Sequence, residues 1–266
     1  MIGLIAAGAV GLALAMTGAW AVQRATGNSG WVDAVWSFST GLAGVAFALV
    51  PVDGAAPGWR QWLVAALIAA WALRLGGHIA LRSRHGPEDA RYAALRTEWG
   101  AGFQRRLFWF LQIQALCAFI LALSVLVAAR NPEPAFRLVD ALGLVVIAVA
   151  VLGEGVADQQ LSRFKADPAN RGRVCDVGLW GWSRHPNYFF EWLVWWAWPL
   201  LAIGAGWPWG WVALAGPVLM YWLLVHASGI PPLEATMLAS RGDAFRAYQA
   251  RVSAFFPLPP KSKAAR

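Results

Sequence analysis

The chain has 266 residues, of which 59% are hydrophobic and only 14% charged, with 18 tryptophans and a formal net charge of +8. A water-facing domain carries about 25% charged and about 45–50% apolar residues. A soluble nucleotide-binding enzyme, a disordered regulator and a secreted disulfide scaffold are therefore excluded. The two cysteines give no framework: Cys117 lies in an apolar run and reads as a packing residue, Cys175 in a basic loop as a free thiol.

The composition predicts an all-α integral membrane protein. A spanning helix needs about 20 mostly apolar residues, and seven stretches qualify: 2–22, 31–50, 61–81, 107–129, 138–160, 187–204 and 209–228. They predict a seven-transmembrane-helix bundle forming one domain over 1–266. Turn residues fill the linkers, from Gly27-Asn28-Ser29-Gly30 to the short Gly204–Pro208 connection, which demands a tight hairpin between spans six and seven. Of the 22 basic residues, 18 fall in loops 23–30, 82–106 and 161–186 and in the tail 229–266; the opposite side holds Arg60, Arg130 and Arg137. Positive charge stays cytoplasmic, so the N-terminus is expected outside and the C-terminus in the cytoplasm. The basic loops thus mark topology and anionic headgroups, and no nucleic acid is expected. Span one ends in Gly18-Ala19-Trp20-Ala21 but lacks the basic start of a signal peptide, and its removal would place the basic side outside. It is expected to be retained.

Ionisable groups inside spans are expensive and mark function. Span two opens with Asp33. Span three carries Arg74, His78 and then Arg82, whose spacing of four puts them on one face. Span five ends with Glu154 and Asp158, and span six opens with Asn187 and Glu191 and continues that face to Trp195. Any one of these groups can instead pair with another to lock the bundle, as Arg74 would with Glu191. The collection, beside eleven basic residues in two loops, predicts a polar cavity open to the cytoplasm and holding an anionic cofactor. Asp140, opening span five, reads as a helix N-terminal acid, and His226 as interfacial.

The four histidines have no paired spacing, which excludes a membrane di-iron site, and no metal is expected. Neither a P-loop nor G-x-G-x-x-G occurs, nor a G-x-S-x-G elbow. Ser183 and Pro186 suit a helix entry. The first turn of span six then offers free N–H groups beside Arg184 and His185, an anion site. Asn187 offers a donor and an acceptor fit for a carboxamide, and Glu191 sits one turn deeper.

The stretch from Glu154 through Asp158 to Lys165, followed by Gly178-Leu-Trp-Gly-Trp-Ser-Arg-His-Pro-Asn-Tyr188-Phe-Phe-Glu191-Trp, resembles the steroid 5-alpha-reductase family in its bacterial multi-span branch. Arg74-Leu75, Glu88-Asp89-Ala90-Arg91-Tyr92, Ser228-Gly229-Ile230-Pro231 with Glu234, Phe245-Arg-Ala-Tyr248 and Phe255-Phe256-Pro257 extend the resemblance over most of the chain. A shorter Arg-His-Pro-x-Tyr core is shared with isoprenylcysteine methyltransferases and sterol reductases. The resemblance implies NADPH-dependent reduction of the 4,5 double bond of a 3-oxo-4-ene steroid or a similar lipid enone, at a site facing the cytoplasm of a bacterial inner membrane. It further implies that Asn187 contacts the nicotinamide amide, Trp195 lines its pocket, Glu154 and Asp158 bind the sugar region, and Lys165 occupies a basic position. Arg184, His185, Tyr188 and Tyr248 would be cofactor contacts, Arg82 and Arg84 would meet phosphates, and Arg74 and His78 would join the cofactor cavity.

Glu191 would stand next to the reacting centre. Two departures stand out: Phe190 occupies the position before the acid where the family has Gly, and the eukaryotic Gln-Glu pair of span two has no clear counterpart. Asp33 is the positional candidate for that carbonyl-holding role, and Tyr92 is the candidate proton donor.

Reduction of an enone builds negative charge on its oxygen, which a protonated Glu191, its acidity weakened by an apolar pocket, would meet with a hydrogen bond. The steroid or sterol-like substrate is as apolar as the bilayer, so lateral entry past Trp192, Trp195, Trp196 and Trp198 is expected. The alternative enzyme reading is S-adenosylmethionine-dependent methyl transfer to a lipid or prenylated substrate. The acids at 154, 158 and 191 disfavour it. A transporter would show inverted repeats or helices broken at mid-membrane, and the charge here collects at one face.

Overall fold

In the computed structural model the structure describes residues 1–52, 54–85 and 90–261, so Glu88 and Asp89 lie outside the described residues. Nine α-helices follow in chain order among the described residues: α1 (Ile2–Thr26), α2 (Gly30–Leu49), α3 (Trp59–His85), α4 (Ala90–Trp99), α5 (Phe103–Ala129), α6 (Leu138–Ala166), α7 (Pro186–Ala202), α8 (Ala215–Trp222) and α9 (Ile230–Arg251). Among the described residues, six stretches are long and apolar enough to cross a membrane: Ile2–Thr26, Gly30–Leu49, Trp59–Arg84, Arg91–Ala129, Leu138–Ala166 and Pro208–Arg251.

Six of the expected spans coincide with these stretches. The remaining one, at 187–204, corresponds to α7, whose 17 residues reach about 25 Å at 1.5 Å per residue and fall short of that length. The last stretch is heterogeneous. It runs through a 3-10 segment at Pro208–Leu214, α8 and a π turn at Leu223–Ala227 before α9. With Glu234, Arg241, Asp243, Arg246 and Arg251 on it, α9 is the polar part and lies outside a span.

The chain packs into two compact units, Met1–Ala141 with Trp198–Gly216, and Leu142–Ala197 with Pro217–Arg266. In unit 1, α1 buries only Leu12, Met16, Ala19 and Gln23, a stripe spaced by fours and threes, and leaves its other faces outward as a lipid-facing helix does. It ends at Gly27, whose φ of 70° closes an αL cap with its N–H on the Gln23 carbonyl at 2.8 Å. Helices α2 and α3 approach closely. A Cβ on Gly41 would lie 2.2 Å from the Ala72 Cβ, so only glycine permits this contact. Between apolar helices in lipid such small-residue packing carries the association. The end of α3 and the start of α2 are tied by Ser83 Oγ–H donating to the Gly30 carbonyl at 2.8 Å and Asn28 Nδ2 donating to the Ser83 carbonyl at 3.3 Å. Phe47, Leu107 and Leu111, fully buried, form the core with Leu12 and Met16.

Unit 2 is held by a different device. The segment between α6 and α7 is fastened to α9 and the tail by polar bonds, described below, over a small core of Phe245, Tyr248 and Val252. At Gly242, φ of 50° kinks α9.

Candidate functional site

The polar groups of unit 2 are arranged around the start of α7. Gln160, near the end of α6, accepts the Leu179 N–H at 2.9 Å, and the Trp180 indole donates to the Ala157 carbonyl at 2.9 Å. These bonds set the loop on α6. Ser183 then turns the chain, its hydroxyl accepting the His185 N–H at 3.1 Å and donating to the Phe255 carbonyl at 2.8 Å. Pro186 opens α7 as expected, since its missing N–H costs nothing in a first turn.

On α7, Asn187, Glu191 and Trp195 follow one another at one-turn spacing. Glu191 and Trp195 are buried, and the Trp195 indole donates to Glu191 Oε1 at 3.0 Å, which fixes the acid's rotamer. Asn187 is half-buried and makes no hydrogen bond among the described residues. Its amide keeps both donor and acceptor for a ligand. On α6, Glu154 is buried, Asp158 half-buried and Lys165 exposed.

The helices α6 and α7 meet at Gly153 and Phe190. A Cβ on Gly153 would fall 2.4 Å from Phe190 Cε1, so the bulk of Phe190 on α7 is received by a glycine on α6. The two buried acids, Glu154 and Glu191, each follow one member of this contact.

Arg184, His185 and Tyr248 are held by the protein itself. The Arg184 guanidinium donates to both Glu234 oxygens, at 2.7 and 3.2 Å, and to the carbonyls of Gln249 and Val252. His185 lies 3.0 Å from Glu234 Oε1 through Nε2, and its ring stacks on Tyr188 with centroids 5.5 Å apart. Gln249 donates to the other Glu234 oxygen at 2.6 Å. Burial pushes the imidazole of His185 below its ordinary value, Arg184 adds to this, and Glu234 acts against it. Neutral His185 therefore donates its Nε2–H to the carboxylate. Burial alone would raise Glu234; the bonds from His185, Arg184 and Gln249 outweigh it and hold the acid at about 2. The Tyr248 hydroxyl donates to the Trp180 carbonyl at 2.5 Å, and burial pushes its pKa up.

In unit 1 the structure brings together the two residues that the sequence named separately. Tyr92 on α4 is buried and its hydroxyl donates to Asp33 Oδ1 at 3.0 Å; Arg91 pairs with the other oxygen of Asp33. Gln114 on α5 donates to the same hydroxyl at 3.4 Å. The cluster stays partly open, with the Asp33 side chain 21% and Arg91 27% exposed. On α3, Arg74 and His78 are half-buried and Arg82 and Arg84 exposed.

A second acid of unit 1 is Asp140. It is not merely a helix N-terminal acid. Arg60 grips it bidentately at 2.8 and 3.0 Å, and Arg137 adds 2.6 and 3.2 Å contacts and its backbone N–H at 2.8 Å. Arg137 and Asn131 also cap the C-terminal carbonyls of α7 at Leu201, Ala202 and Ile203, and so saturate groups that would otherwise be orphaned. Sequence reasoning missed this cluster and the role of Glu234. The i, i+3 spacing of Arg137 and Asp140 was the one local signal; Arg60 and Glu234 come from 80 and about 50 residues away.

By architecture this is a polytopic helical membrane protein. The chain belongs to the family described as protein of unknown function DUF1295, which matches residues 19–252. A protein of Schizosaccharomyces pombe described as uncharacterized is 25% identical over 270 residues, covering 90% of this chain and 75% of the relative. No solved structure matches the chain.

Proposed function

We propose that the protein is an NADPH-dependent membrane oxidoreductase that reduces the 4,5 double bond of a 3-oxo-4-ene steroid or a similar lipid enone. It would use seven spans, with the N-terminus outside and the site facing the cytoplasm of a bacterial inner membrane. The observation that carries the reading is the α7 face. A half-buried carboxamide at Asn187 with no protein partner among the described residues stands one turn before a buried acid, Glu191, whose rotamer Trp195 holds.

The residues fit the group. Asn187 matches the amide of a nicotinamide in donor and acceptor, Glu154 and Asp158 offer acceptors for sugar hydroxyls, and the exposed Lys165 offers charge for a phosphate. Reduced nicotinamide, when bound, supplies a hydride. The chain's part is to hold the enone dry and to stabilise its oxygen as charge develops. Glu191, buried and held by the Trp195 indole, would be the hydrogen-bond donor to that oxygen. Tyr92 with Asp33 is the proton-delivering pair on the geometry of unit 1 by itself: Gln114 and Asp33 orient the phenol, and Arg91 neutralises the acid. Arg184 and His185 act here through position, fastening the entry of α7 to Glu234.

The experiment is mass spectrometry of small molecules that co-purify in mild detergent, followed by direct titration. NADP(H) near one equivalent, lost in Asn187→Ala with the fold intact, is the expected result. S-adenosylmethionine or its demethylated product in its place would overturn the reading in favour of methyl transfer.

A further inference from the structure

Unit 1 carries a groove of about 320 Å³ lined by Trp99, Arg105, Arg106, Trp109, Phe110 and Ile113. Its composition is divided along its length. Arg105 and Arg106 stand in the first turn of α5, and Trp109, Phe110 and Ile113 continue the same stripe three, four and seven or eight residues on. The span from Arg105 to Ile113 is about 12 Å along the helix. Both arginines are exposed, and neither makes an ion pair among the described residues. Arg106 folds back toward the helix start, its Nε lying 3.7 Å from where a Gly102 Cβ would be. The apolar end is left open, with Trp109 63% and Ile113 60% exposed. Its wall is braced: Trp99 packs edge-on against Phe110 at 6.1 Å and tilted against Phe103 at 6.1 Å.

We propose that this groove binds one anionic glycerophospholipid of the surrounding bilayer, the phosphate on Arg105 and Arg106 and the upper part of one acyl chain along Trp109, Phe110 and Ile113. Two cations at one end and an open aromatic and aliphatic face at the other complement that ligand in charge and in polarity. Guanidinium groups suit phosphate oxygens by their forked donors. Indole rings belong at headgroup depth, where one edge is wet and the other apolar. The 27 residues of α5 span about 40 Å, more than the hydrocarbon core, so its first turn lies among the headgroups. None of the six residues is a candidate for the reductive chemistry, and the site stands independently of that reading.

The test is native mass spectrometry of the full chain in mild detergent, titrated with phosphatidylglycerol and, separately, phosphatidylcholine of the same chains. The first bound phosphatidylglycerol should be retained in preference to phosphatidylcholine. The double variant Arg105→Gln/Arg106→Gln should bind it about twenty-five-fold more weakly, at a factor of about five for each basic residue. A matched double variant in the exposed loop after α6, Arg171→Gln/Arg173→Gln, removes the same charge elsewhere and should leave the first binding step unchanged. Equal retention of the two lipids, or equal weakening in the two double variants, would overturn the proposal. Competition by glycerol phosphate at equal concentration would also overturn it, since the arginines would then recognise a soluble anion rather than a lipid.

Discussion

Asp33 and Asp140, both in unit 1, occupy equivalent places in the sequence, each in the first turn of a helix, yet the structure uses them in opposite ways. The oxygens of Asp140 receive five hydrogen bonds from Arg60 and Arg137, and its side chain has no exposed surface. Asp33 holds one phenol and one guanidinium and keeps a fifth of its surface open. A saturated, dry carboxylate can only lock. An acid with spare lone pairs, some exposed surface and a phenol aimed at it can exchange partners. Burial and the count of bonded lone pairs separate a bundle lock from a site, and the charge pattern alone does not.

The largest effect on stability should come from breaking the lock. Asp140→Ala leaves Arg60, 4% exposed, buried without its acid, which should cost about 3–5 kcal/mol and appear as a large fall in the detergent melting temperature or loss of the folded protein. Next comes the third charged cluster, in unit 2. Glu234→Gln weakens charged hydrogen bonds to Arg184 and His185 and should cost about 1.5–3 kcal/mol.

This cluster also sets an acid dependence. His185 is held below its ordinary 6.5, so the folded state takes up fewer protons than the unfolded state and loses stability as the pH falls below 6.5. Glu234 is held at about 2 against an ordinary 4.5, so its contribution is present above 4.5 and is lost as the pH falls from there toward 2. Melting temperatures measured against pH should decline over both windows in the parent, whereas in Glu234→Gln the decline over the lower one should be shallower.

Smaller again in stability, and the converse of Asp140, are Asp33→Asn and Tyr92→Phe. Each should cost about 1 kcal/mol. Each should nevertheless lower enone turnover by about 10²–10⁴-fold in a single-turnover assay, the range for a lost proton donor. Equal losses of folding in Asp33→Asn and Asp140→Ala would erase the contrast. Arg91→Gln should be the mildest, within about 1 kcal/mol, because its partner is partly solvated.

Six of the expected spans were legible because apolar runs of about 20 residues are local signals. The α7 face was legible for the same reason: Asn187, Glu191 and Trp195 repeat at helical spacing. Asp33 and Tyr92 were each named, but their bond joins residues 59 apart and no pattern in the chain announces it. The Arg60–Asp140 and Arg184–Glu234 pairs escaped on the same ground. Phe190 read as an intrusion where a glycine belonged, and the compensation at Gly153 became visible only when α6 and α7 met. The expected span at 187–204 proved shorter as a helix, because its chain leaves α-geometry after Ala202 toward the Gly204–Trp207 turn.

The most direct test is isotope transfer in a single turnover. The protein in lipid nanodiscs is given NADPH deuterated at the transferring carbon together with a 3-oxo-4-ene steroid, and the product is read by mass spectrometry and NMR. One deuterium at the carbon beta to the ketone is the predicted result. In Glu191→Leu, which keeps the bulk but offers no donor, transfer should fall sharply while NADPH binding is retained. A product with no deuterium, or turnover unchanged in Glu191→Leu, would contradict the assignment of the α7 face as the site of reduction.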